Sequence, residues 1–315
     1  MTSEWKLCTA SANHDSAGRI HFTGILKESR PVRVLIVGCG YLGERAARRW
    51  RDAGHTVAAL TRSPDRRQDW RELGIDVIAG DVTDPSSLSV LPAADVCLFA
   101  VGYDRAAKPD KRTVYVNGLD NALQAIRGKI PRLIAISSTS VYGQDAGEIV
   151  NESSECHPTT EGGQICLDAE NVIQQRLKEG WFHSAVSLRL AGIYGPGRFL
   201  ARVDQLRAGV PFTGNPDAWL NLIHVDDAAE AVLKLSASPL TETPLLLTDG
   251  TPLRRRDFYT ALAEIVGAPA PQFDQGSDQA LNKRCDSSRT RGLLELVPQW
   301  PDARLALADA VRLNS

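Results

Sequence analysis

From Pro31 onward, short apolar runs alternate with amphipathic stretches. "VRVLIV", Val32–Val37, is apolar at nearly every position and stops at glycines, the pattern of a strand buried on both faces. "YLGERAARRW" follows, with Leu42, Ala46, Ala47 and Trp50 spaced to pack one side of a helix. "HTVAAL", "GIDVIAGD", "DVCLFAV", "RLIAIS" and "SAVSLRLAG" read as the second to sixth strands, with helices expected at 114–127 and 169–177 between them. Strands alternating with helices predict an α/β fold built on a doubly wound parallel sheet.

After about Gly195 the rhythm loosens. "AWLNLIHVDDAAEAVLKL" reads as a strand edge and then a helix capped by Asp226 or Asp227. "TPLRRRDFYTALAEIVGAPAP" reads as a capped amphipathic helix stopped by glycine and prolines, and "PDARLALADAV" as a closing helix. The expected organisation is a nucleotide domain over 31–195 and a small C-terminal substrate lobe over 196–315, parts of which return to the first domain. Residues 1–30 are polar and aperiodic, without the basic start and apolar centre of a signal peptide, and read as a disordered or loosely docked extension.

Composition narrows the function classes. A net charge of −2 and a pI near 6.3 leave no electrostatic footprint for nucleic acid. The apolar runs are too short to span a membrane. The six cysteines form no CxxC pair and have no regular spacing, so reduced thiols and a cytoplasmic location are expected, with no metal site.

The chemistry starts at "VGCGYLG", which places Gly38, Gly40 and Gly43 between a strand and a helix. The first glycine permits the tight turn and the second lets a pyrophosphate approach the backbone. The third lets helix and strand pack closely, and free N–H groups at Tyr41 and Leu42 face the phosphates. The second strand ends in Thr61, Arg62 and Ser63 where an NAD-binding chain carries an acid. A guanidinium and two hydroxyls suit a 2′-phosphate, so NADP(H) is favoured over NAD(H). Asp81 in "GDVTD" either accepts from an adenine amino group or starts a loop, with Val82 beside it. Val101 and Gly102 follow the fourth strand, where nicotinamide-side contacts are expected.

Taken in order, "VGCGYLG", "GDVTD", "VYVNGLDNAL", "SSTSVYG", "LRLAGIYGPGR" and "LIHVDDAAEA" resemble the extended short-chain dehydrogenase/reductases, the NAD-dependent epimerase/dehydratase family, from Val32 to nearly the C-terminus. The resemblance implies a Rossmann fold, a nicotinamide cofactor and a small-molecule substrate, with a homodimer only by analogy. The family usually carries GxxGxxG, and the GxGxxG here points to its atypical branch. Its chemistry uses a serine, a tyrosine and a lysine four residues after the tyrosine. By alignment the serine is Ser138, but the tyrosine position falls on Gly162 and the lysine position on Cys166, and no YxxxK occurs anywhere in the chain.

Replacement donors are Tyr103 in "VGYDR" and Tyr142 in "SVYG", each also readable as a packed aromatic. Ser138 either orients a substrate oxygen or satisfies a strand-end carbonyl. Arg198 after "YGPG" stands where relatives often meet anionic substrates, or caps the next helix; His224 in "IHVDD" borders the substrate lobe, or fixes its loop. Two functions follow. One is an NADP(H)-dependent oxidoreductase or epimerase acting on a small or nucleotide-linked carbonyl or alcohol. The other is a redox sensor or scaffold that binds NADP(H) without turnover.

Overall fold

The computed structural model describes residues 13–14, 20–21, 31–62, 66–104, 109–241, 243–274 and 281–312. The chain divides into two units, Met1–Pro31 and Val32–Ser315. In the first, Asn13–His14 pairs antiparallel with Ile20–His21. The rest of the expected loose extension lies outside the described residues.

The second unit is built on seven parallel strands: β1 Arg33–Val37, β2 Thr56–Thr61, β3 Asp76–Ala79, β4 Val96–Phe99, β5 Arg132–Ser138, β6 Ser184–Leu190 and β7 Leu245–Leu247. Their spatial order is β7-β6-β5-β4-β1-β2-β3. The order reverses between β1 and β4, and a crevice opens at that switch point, beyond the carboxyl ends of the strands. The first six strands match the sequence expectation. The seventh was not expected, because "LLL" is too short to show a period.

Both faces of the sheet are covered, which explains the continuous apolar strands. Val34 and Ile36 face one side, against Ala46, Ala47 and Trp50 of α1 (Tyr41–Asp52). Leu35 and Val37 face the other, in the layer of Leu119, Leu123 and Ile126 of α3 (Gly118–Ile126), which follows α2 (Arg66–Glu72) in the chain. Ile173 of α4 (Glu161–Lys178) joins the same layer. Helix α4 starts well before 169. Thr160 accepts a hydrogen bond from the Gly163 N–H and caps it, so Gly162 and Gly163 are helical despite their low propensity.

Beyond β6 come α5 (Leu200–Arg207), α6 (Val225–Ala237) and α7 (Arg255–Val266). Ala228, Ala229 and Val232 of α6 lie in the same core layer as α1, with Trp50 Nε1 donating to Ser236 Oγ at 3.0 Å. Helix α7 ends at Gly267, whose left-handed φ of 63° matches the expected glycine stop. Tyr259 of α7 stacks on Phe212 at 4.0 Å between centroids, in a smaller core of its own.

The cap of α6 differs from expectation. His224 Nδ1, not an aspartate, accepts from the Asp226 N–H. Asp227 is turned to the 299–300 segment instead, where its two oxygens accept from Gln299 N–H at 2.8 Å and Trp300 N–H at 3.0 Å. Those two amides lie outside any helix, so the buried carboxylate does more there than at a helix end that His224 already serves.

Candidate active site

The glycine turn sits at the carboxyl end of β1. Gly38 has φ +96°, and a Cβ on it would stand 2.5 Å from the Val101 nitrogen; a Cβ on Gly43 would stand 2.4 Å from the Gly38 carbonyl oxygen. Both glycines are therefore sterically required. Gly40 differs: nothing lies within 4 Å of where its Cβ would be. No side chain caps α1, so its first N–H groups remain available to an anion. The open space over Gly40 and the uncapped helix start are the cradle that a pyrophosphate fits.

Two cavities meet at this turn, sharing Gly40, Val101 and Gly102 in their linings. The first, of about 260 Å³, is bordered by Gly38, Thr61, Arg62, Asp81 and Val82. Asp81 Oδ1 accepts from the N–H and hydroxyl of Thr83, both at 2.8 Å, so the loop-start reading accounts for that oxygen. Its Oδ2 stands 3.9 Å from Arg62 NH1. Ser63 lies outside the described residues. The second cavity, of about 280 Å³, runs over Tyr41, Leu42, Ser138, Cys166, Glu170 and Arg198.

Ser138 ends β5 on the wall of this second cavity. Its Oγ accepts from the Ser140 N–H at 3.1 Å, which leaves its own proton to donate. Arg198 stands at the rim, its guanidinium 4.5 Å from the Tyr41 ring centroid, with Arg45 at 4.3 Å. The Tyr41 hydroxyl donates to the Pro196 carbonyl at 3.0 Å, and burial pushes the phenol up to about 12 despite both arginines.

Three of the expected site residues stand apart from the cavities. Tyr142 is fully buried; Arg189 donates to its hydroxyl at 2.9 Å, and burial pushes its pKa up to about 12. It is a core tyrosine. His224 is fully buried as the cap of α6, edge-on to Tyr194, and burial pulls its pKa down. It fixes its loop, and a fully enclosed ring cannot reach a substrate. Tyr103 lines neither cavity; its ring packs against Tyr115, 6.4 Å between centroids.

The structure brings in residues that the pattern reading did not single out as site residues. Tyr115, in the helical turn Thr113–Asn117 before α3, lines the second cavity. Lys111 reaches α4: a Cβ on Gly162 would lie 2.6 Å from its Nζ. Cys166, one turn further along α4, lines the cavity, and burial raises its pKa against the opposing pull of Ser140 and Lys111. Beneath the cavity, Arg189 of β6 grips Glu170 of α4 with Nε at 2.9 Å and NH2 at 2.6 Å, and Ser137 of β5 donates to the same carboxylate at 2.5 Å. "VYVNGLDNAL" placed Tyr115 on an expected helix, but no periodicity reveals that the helix turns it toward β5.

Among the described residues no helix is long and apolar enough to cross a membrane, and no cluster of acids, histidines and cysteines is arranged to hold a metal. The chain is 30% identical over 285 residues to protein YeeZ of Escherichia coli K12, covering 86% of this chain and 97% of that one. It is 28% identical over 275 residues to short-chain dehydrogenase/reductase family 42E member 1 of Xenopus laevis, covering 76% and 69%. Among solved structures it is similar to MoeE5 in complex with UDP-glucose and NAD, with a TM-score of 0.72, 21% identity, and coverage of 88% and 97%. The profile of the NAD dependent epimerase/dehydratase family matches residues 34–244, and with this glycine turn at the switch point of a seven-stranded parallel sheet the chain belongs to that family.

Proposed function

We propose that the chain binds NADP(H) along the two joined cavities and acts as an oxidoreductase or epimerase on a small or nucleotide-linked carbonyl or alcohol. The observation that carries this reading is the glycine turn, whose open position at Gly40 lies in the lining of both cavities. Gly38, Gly40, Tyr41, Leu42 and Gly43 would hold the pyrophosphate. Val82 and Asp81 would border the adenosine, and Val101 and Gly102 the nicotinamide side. When bound, the nicotinamide supplies or takes the hydride. Ser138, already an acceptor from the Ser140 N–H, would give its proton to the substrate oxygen and orient it. Arg198 at the rim would meet an anionic group of the substrate, and the UDP-glucose held by MoeE5 is one such chemistry.

The preference for NADP(H) rests on Thr61 and Arg62 in the smaller cavity. Arg62 and Asp81 are both partly exposed at 3.9 Å, a weak pair that costs little to break when a phosphate arrives. A charge-assisted hydrogen bond contributes roughly 1.5–3 kcal/mol. Arg62→Ala should therefore weaken NADPH binding roughly 10–100-fold and leave NADH binding nearly unchanged. Titration calorimetry with both cofactors at one salt concentration tests this. Tighter NADH binding by the wild type, or equal loss of both cofactors in the variant, would sink the assignment.

A second reading, a sensor or scaffold that binds NADP(H) without turnover, is favoured by one observation: α4 presents Gly162 and Cys166 where the family's chemistry places tyrosine and lysine. Stopped-flow oxidation of bound NADPH against a carbonyl panel separates the two. Hydride transfer lost in Ser138→Ala supports the enzyme; tight binding with no oxidation supports the sensor.

A further inference from the structure

We propose that Tyr115 is the proton-transfer group of this site, carried on the turn before α3 instead of on α4, with Lys111 as the cation over its ring. The proposal rests on the NADP(H) reading above. Tyr115 lines the same cavity as Ser138. The turn that carries it, Thr113–Asn117, is wound as a π-helix, a form that recurs at functional sites. Its hydroxyl oxygen accepts the Tyr103 N–H at 3.1 Å, so its own proton has to find another acceptor. Among the described residues no protein acceptor takes that proton, and the cavity is where a substrate oxygen would.

The other tyrosines near the cleft are already committed. Tyr41 lines the cavity but donates to Pro196. Tyr142 is sealed in the core beneath Arg189, and Tyr103 lines neither cavity. Lys111 and Tyr115 are four residues apart, which puts them on one side of a helical turn. The Lys111 ammonium stands 5.6 Å from the Tyr115 ring centroid and occupies the space into which any side chain at Gly162 would grow. Lysine and tyrosine thus come from the segment before α3, in the reverse chain order of the pair that α4 lacks. The groups around the phenol are the Tyr103 amide from the loop after β4, which donates to its oxygen, Cys166 from α4, and Lys111 from its own segment, whose ammonium stands over the ring. Burial raises the phenol's pKa, so it stays protonated at neutral pH, as an acid must.

In carbonyl reduction the Tyr115 O–H bond breaks and its proton goes to the substrate oxygen. The carbonyl carbon takes the hydride, so C=O becomes CH–OH, and the dihydronicotinamide is oxidised by the same two electrons. The phenolate left behind has the Lys111 ammonium over its ring and recovers a proton from solvent. Alcohol oxidation runs these steps in reverse.

The test compares the wild type with Tyr115→Phe and Lys111→Met. Calorimetry should give NADPH affinities within about twofold for Tyr115→Phe, while hydride transfer to a carbonyl falls about 10²–10⁴-fold. Independently of any substrate, phenolate absorbance is titrated with and without NADP⁺, and the Tyr115→Phe curve is subtracted from the wild-type curve. The positive nicotinamide should lower the pKa of Tyr115, and Lys111→Met should raise it again. A Tyr115 titration that NADP⁺ does not move, or carbonyl reduction by Tyr115→Phe at the wild-type rate, overturns the proposal while cofactor binding stands. If no carbonyl in the panel is reduced, the difference titration decides alone. Failure of the wild type to bind NADP(H) at all removes the functional reading, and this proposal with it.

Discussion

Glu170→Ala is expected to destabilise the protein by about 3–5 kcal/mol, the usual result of leaving one partner of a buried ion pair alone. The side chains of Arg189 and Glu170 are only 6% and 8% exposed, and the guanidinium grips the carboxylate with two nitrogens. Burial works against the Arg189 charge, and Glu170 more than offsets it, holding the guanidinium above its ordinary pKa. The pair joins β5 through Ser137, α4 through Glu170 and β6 through Arg189, and so sets the floor of the cavity. Without Glu170, the Arg189 charge is left with neutral partners such as the Tyr142 hydroxyl and the Cys156 thiol. Chemical denaturation should show the loss, and Tm should fall by on the order of 10 °C. Because the penalty is an uncompensated charge, Glu170→Leu combined with Arg189→Met should recover much of it. A single-variant loss below about 1 kcal/mol would mean that water reaches the arginine.

Asp249 should make stability fall as pH rises from about 4 to about 7. It is 1% exposed; Oδ1 accepts from the Thr251 N–H at 3.0 Å, while Oδ2 has no partner among the described residues. Burial pushes its pKa up to about 7; the Thr251 N–H and Arg291 oppose this, and Asp302 and Asp227 add to it. Unfolded, the same carboxyl titrates near about 3.9. Below that value both states hold the proton and the contribution is fully present. Between the two values only the folded state holds it, so the contribution shrinks with rising pH, and it is gone above the folded pKa. At about 1.4 kcal/mol per pKa unit the full change is on the order of 4 kcal/mol. Asp249→Asn keeps an oxygen for Thr251 and carries no charge. Its melting temperature should match the wild type near pH 4 and exceed it at pH 8. An unchanged difference between the two proteins at both pH values would refute the buried-acid account.

The two joined cavities differed in how far the sequence disclosed them. Gly38, Gly40 and Gly43 were legible because each role is local: a positive φ, an open backbone, and a helix pressed on its own strand. The position of Thr61 and Arg62 beside that turn was legible because in a doubly wound sheet the end of the second strand lies next to it. Tyr142 and His224 were misplaced because neighbours in sequence do not share burial. Tyr142 follows Ser138 by four residues, yet it points into a core with Val141, Val150 and Leu246.

The sequence by itself determined the doubly wound sheet, the glycine turn, the chain's place in the family and the absence of the Tyr-x-x-x-Lys pair, since strand burial and backbone sterics are written in local patterns. Only the tertiary structure decided the seventh strand, the cap of α6, and which tyrosines line the cavity. Those outcomes depend on contacts between distant segments. Tyr115 reaches the cavity that Ser138 lines, and Lys111 fills the space above Gly162, because one helical turn packs across the start of another. No period within either segment encodes that meeting.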